Sequence, residues 1–198
     1  IGRHGMPALA LSFSVANGRL QNNDPPAKLT GLNGRGELTY DFNRPQAARL
    51  KLLDVKGKLG PDAFNASLDI RNFDDPTLAL DWDGVFSLGE LTRLMPDLLP
   101  NARLSGQLAG HFSTKGKLSN YVGEKVIYTK TSGELHLQNV KYAAKDNGRR
   151  VESLNGKLKF TPKAADIQQL TGIVDGNSVR FDGHFRNYLP YFLTDKGV

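Results

Sequence analysis

Large apolar residues recur at every second position in one segment after another of this chain, and that period limits the folds open to it. In "ALALSFSV" the side chains of Leu9, Leu11, Phe13 and Val15 alternate with Ala8, Ala10, Ser12 and Ser14. The pattern returns at Leu38, Tyr40 and Phe42, at Phe64, Ala66, Leu68 and Ile70, and at Leu78, Leu80 and Trp82. In the second half it is carried by Leu104, Leu108 and Phe112, then Leu135 and Leu137, then Leu154, Leu158 and Phe160, then Val179, Phe181 and Phe185. Successive side chains of a strand point to opposite faces, so each segment predicts a strand with one apolar and one polar face. Many such strands with little helix predict a mainly β fold. Asn17-Gly18, Asn147-Gly148 and Asp175-Gly176 lie between apolar runs and are expected to form two-residue hairpin turns, which require φ > 0. Gly34 and Gly156 fall within apolar runs and are expected at bulges or bends that curve the sheet. Two architectures fit the alternation: a long curved antiparallel sheet whose apolar face lines a groove, and a closed β-sandwich.

The chain also repeats itself. "LNGRGELTY" and "LNGKLKF" place Asn33 and Asn155 122 positions apart, while "IRNF" and "FRNY" place Arg71 and Arg186 115 apart. The seven-residue difference is what one shortened loop produces. We therefore expect a first β-sheet copy over 1–86, a helical connector over 87–100 and a second copy over 101–198. In the connector, "SLGELTRLMPDLLP" has Ser87 and Glu90 at capping-box spacing. Leu88, Leu91, Leu94 and Met95 give it one apolar stripe, and Pro96 and Pro100 close it.

Composition removes several classes of function. There is no cysteine, hence no disulfide, thiolate zinc site or cysteine nucleophile. No stretch approaches the ~20 apolar residues of a membrane-spanning helix. The chain begins at Ile1, and we expect it to be part of a longer protein. Residues 1–99 hold 11 Lys/Arg against 12 Asp/Glu, and residues 100–198 hold 15 against 8. The basic second half suits an anionic partner such as a membrane surface.

Catalytic signatures are missing. There is no G-x-S-x-G, Walker A or H-E-x-x-H run. His4, His111, His136 and His184 have no partner at metal-ligand spacing, and the last three sit on polar strand faces. Asp81 and Asp83 flank Trp82 and raise glycoside hydrolysis as a reading, although the pattern is that of an ordinary exposed strand face. The basic turn Lys145–Arg150 could touch phosphate, but aromatic residues do not interleave with basic ones as in a base-stacking platform, so no nucleic-acid partner is expected. No cofactor and no metal are expected either.

The stretches "FSLGELTRLMPDLLPNARLSGQLAGHFSTKGKLSN" (Phe86–Asn120), "SGELHLQNVKY" (Ser132–Tyr142) and "VESLNGKLKFTPKAADIQQLTGIVDGNSVRFDGHFRNYLPYFL" (Val151–Leu193) resemble the C-terminal region of AsmA-family proteins. The shared pattern is a short L-x-x-L…P helix, then L-x-G-x-L, then L-N-G-x-L-x-F. Residues 78–193 carry the likeness, and residues before Asp74 share only its repeat logic. The resemblance implies a periplasmic cell-envelope protein of Gram-negative bacteria, anchored to the inner membrane in its full length. It further implies kinship with TamB and the bridge-like lipid transfer proteins, an apolar β-groove, and a non-enzymatic part in phospholipid transport and outer-membrane biogenesis. The groove lining expected here is Leu104, Leu108, Phe112, Leu135, Leu137, Leu154, Leu158, Phe160, Val179, Phe181 and Phe185, with phospholipid acyl chains as the partner. The competing reading is a structural or adhesive β-sandwich module that binds glycan or protein.

Overall fold

The computed structural model describes residues 7–23, 26–94, 102–121, 125, 128–144 and 148–187. Its ten strands are β1 (Ala8–Asn23), β2 (Pro26–Asp41), β3 (Arg49–Leu59), β4 (Asp62–Arg71), β5 (Thr77–Ser87), β6 (Ala102–Lys117), β7 (Lys130–Ala144), β8 (Arg150–Phe160), β9 (Ala164–Val174) and β10 (Asn177–Arg186). All belong to one antiparallel sheet whose spatial order is the chain order, and β1 and β10 are its two edges. The protein is thus mainly β, with a single unclosed sheet and one short α-helix, α1 (Leu88–Leu94), among the described residues.

The internal repeat is visible in the ladder itself. Leu11 pairs with Leu38 and Val15 with Gly34; Gly133 pairs with Phe160 and Leu137 with Gly156. Leu52 opposes Leu68, and Ile167 opposes Gly183. Each second pair is the first displaced by 122 on β1 and β2 or by 115 on β3 and β4. The unit β1–β4 therefore recurs as β7–β10, with β5, α1 and β6 between them. The seven-residue difference falls between Leu38 and Arg49: β2 runs on through Asp41 and a connection containing the 3-10 turn Pro45–Ala47 follows, whereas β8 ends at Phe160 and joins β9 through Thr161–Lys163 alone.

Positive-φ residues obey the same offsets. Asn17 (φ 53) matches Asn139 (φ 48), Gly31 (φ 60) matches Ser153 (φ 54), Asp54 (φ 52) matches Gln169 (φ 51), and Asn72 (φ 58) matches Asn187 (φ 51). The first three pairs lie beside register shifts in the ladder. An extra residue in one strand bends it and raises its twist, so both units are bent at the same places.

One of the turn expectations changes here. Asn17-Gly18 is not a hairpin turn: β1 runs through it, with a bulge at Asn17. Asn-Gly supplies φ > 0 cheaply to either structure. Gly34 and Gly156 do lie at bulges, each within a register shift and opposite the extra residue of the next strand. A Cβ on Gly34 would come within 3.2 Å of the Val55 Cα, and one on Gly156 within 2.9 Å of the Leu170 Cα. These glycines let the neighbouring strand close in. Asp175-Gly176 does form the β9–β10 turn, with φ of 49 and 83. Gly148 has φ 69 between β7 and β8, while its neighbour Asn147 lies outside the described residues.

The helix starts where expected, but Glu90 does not close a capping box. Its Oε1 accepts from Arg93 Nη1 at 2.5 Å. Leu88 is 5% exposed, and α1 lies against β6, β5 and the non-adjacent β2. The Glu90 side chain sits 3.0 Å from where a Cβ on Gly60 would be. The helix thus lies across one end of the sheet, over the β3–β4 turn. Met95, Pro96 and Pro100 lie outside the described residues, as do His4, Lys145–Asn147 and 188–193.

Candidate functional site

Cross-strand partners share a face, so the ladder shows which residues the sheet brings together. Phe112 opposes Gly133 and Leu108 opposes Leu137; Leu104 opposes Tyr142. On the next strand, Leu135 opposes Leu158, Gly133 opposes Phe160 and Val140 opposes Leu154. Val179 faces Gly172, Phe181 faces Leu170 and Phe185 faces Ala165. The eleven residues expected to line one face all lie on one face of β6, β7, β8 and β10. All are half-buried except Phe181, which is 40% exposed.

The first half adds to this face. Phe86 opposes Leu108 and Trp82 opposes Phe112 across β5 and β6. Leu80, Leu68 and Leu52 then continue the row on β5, β4 and β3. Trp82 stacks on Phe86 at 3.9 Å between ring centroids and lies 5.5 Å from Phe112. Trp82 was legible only as an apolar member of its strand; the stacking on Phe86 follows from their i, i+4 spacing on one face, across Gly84.

Among the described residues the buried apolar side chains are Ala48, Leu59, Trp82, Leu88, Val140 and Ala165, and no large side chain is fully buried. Among the described residues two side-chain polar atoms are buried without a partner: Asp62 Oδ2 and Trp82 Nε1. The other Asp62 oxygen, Oδ1, accepts from Gln107 Nε2 at 3.0 Å.

The opposite face is polar and carries several ion pairs. Asp69 accepts from Arg49 Nε at 2.8 Å and from Arg71 Nη2 at 2.8 Å, and these bonds hold its carboxyl far below the usual carboxylate range. In the second unit the position of Asp69 is taken by His184, which pairs with Asp166 at 2.5 Å. His136 lies 3.8 Å from Glu134. Asp81 and Asp83 are exposed on this face, around a hollow of about 500 Å³ that also includes Asp54, Lys56, Asn65 and His111. No group of three potential metal ligands occurs among the described residues. No helix among them is long and apolar enough to cross a membrane. No protein-family model, no curated protein and no solved structure matches the chain.

Proposed function

We propose that this chain is a lipid-handling segment of an AsmA-like cell-envelope protein, and that its apolar face is an open groove for phospholipid acyl chains. The observation that carries the reading is a continuous apolar face on one side of a single unclosed sheet, most of whose large side chains are half-buried among the described residues. Soluble monomers rarely leave large apolar areas uncovered without a partner for them.

Acyl chains fit the chemistry of this surface. Exposing one CH₂ to water costs about 0.8 kcal/mol, and a ~16-carbon chain on the order of 12 kcal/mol. Leucine, valine and phenylalanine at alternate positions replace that burial along a path, with no directional bond to break at each step. Transfer of this kind requires no catalytic residue, and we assign none. The parent protein would be periplasmic and tethered to the inner membrane, and the basic second half would face anionic head groups. The reading is tested by native mass spectrometry of the purified protein, with extraction of bound lipid. Recovered phospholipid is expected; a lipid-free protein whose apolar face excludes hydrophobic probes would instead favour the closed sandwich that binds glycan or protein.

A further inference from the structure

Trp82 is the chain's sole tryptophan. It lies on the apolar face of β5, at the middle of the ten-stranded sheet. It is 4% exposed, whereas the rings beside it, Phe86 and Phe112, are half-buried. An indole carries one polar atom, Nε1, and that atom only donates. Here it is buried and bonds to nothing among the described residues. Such a donor has lost its hydration with no bond in return, which is why buried indoles ordinarily find an acceptor.

Other buried polar groups nearby are held by the protein. Thr114 opposes Leu80 on the same face, and its buried hydroxyl lies 2.6 Å from Thr131 Oγ1. Asp62 keeps one oxygen on Gln107. The residues opposite Trp82 are Ala66 on β4 and Phe112 on β6, neither of which has a side-chain acceptor. The stack on Phe86 supplies none either. The face thus holds one open donor in apolar surroundings.

Resting on the lipid reading above, we propose that Trp82 is a specificity-determining residue of the groove: its Nε1 donates to the carbonyl oxygen of a fatty acyl ester lying on the face. The hydrocarbon of such a lipid offers no acceptor, and the ester carbonyl is the first polar group met along the chain. A lone donor among leucine and phenylalanine matches that chemistry and gives no hold on a bare alkyl chain. The carbonyl reaches the indole as the Phe86 ring turns aside, and the ester then rests at the β5–β6 join with its acyl chain along the apolar rows.

The test uses the folded protein and two soluble lipids that differ only in the carbonyl oxygen: palmitoyl lysophosphatidylcholine and its hexadecyl ether analogue. In calorimetric titration the ester should bind about fivefold more tightly than the ether, as one added hydrogen bond allows. The indole N–H gives a single peak in the proton–nitrogen correlation spectrum, and it should move downfield with the ester and not with the ether. Trp82→Phe keeps a ring and removes the donor, so it should bind both lipids equally, near the wild-type affinity for the ether. Equal binding of the two lipids by the wild type, or a preference that survives in Trp82→Phe, would overturn the proposal and leave the groove standing. If Trp82→Phe does not fold, the N–H signal of the wild type decides alone. Binding of neither lipid would overturn the groove reading and this proposal with it.

Discussion

Asn33 and Asn155 each tie together two positive-φ residues on adjacent strands. The Oδ1 of Asn33 accepts from the Asn17 amide at 3.1 Å while its Nδ2 donates to the Gly31 carbonyl at 2.7 Å. Asn155 does the same with the Asn139 amide at 2.8 Å and the Ser153 carbonyl at 2.5 Å. The asparagine of the repeated L-N-G run is thus a clamp for two bulges, a role that the run alone does not disclose. Asn155→Ala should cost about 1 kcal/mol in equilibrium unfolding, and Asn155→Asp, which keeps the acceptor but not the donor, should cost less. No measurable change in either would mean the bulges hold themselves. Asp69 gives a pH signature. Its carboxyl is depressed by the bonds from Arg49 and Arg71, so its contribution is complete above the ordinary unfolded value of about 3.9. It disappears as the pH falls further toward the folded value. The stability gap between wild type and Asp69→Asn should therefore be constant near neutrality and close below about pH 4; a gap independent of pH down to 2 would show that the arginines contribute nothing through charge.

At the scale of elements, alternation located the strands because a face either meets apolar neighbours or meets water, and that choice is written at every second residue. It could not separate a turn from a bulge at Asn17-Gly18, because the two use the same backbone conformation and differ only in what pairs beyond them. The helix shows the same division. Of its expected apolar stripe, Leu88 is buried, while the side chains of Leu91 and Leu94 and all of Met95 lie outside the described residues. The capping box was not a safe inference, since Arg93 competes for Glu90 from within the helix. Truncating Leu88 to alanine should therefore destabilise by about 3 kcal/mol, whereas Ser87→Ala should cost well under the ~1 kcal/mol of a lost N-cap. Denaturant midpoints of the two variants decide it, and equal losses would restore the cap.

At the scale of the whole molecule, the offsets of 122 and 115 were readable before any fold was known. They correspond to a register repeated pair for pair over eight strands. What the sequence did not contain was the assignment of units. The repeat unit is four strands, and β5, α1 and β6 join the two editions into one sheet, bringing Trp82, Phe86 and Phe112 together at the join. Neither copy has a core of its own, because each presents its apolar side to the same face. Leu158 lies within that shared face, between Leu135 on β7 and Ile167 on β9. The most direct measurement is lipid recovery from wild type and Leu158→Glu, purified side by side and both checked for fold by circular dichroism. An open acyl-chain groove requires phospholipid on the wild type and its loss from a variant that stays folded, since a carboxylate at an open surface can hydrate. An unfolded Leu158→Glu together with a lipid-free wild type would contradict it, showing that Leu158 belongs to a closed interior.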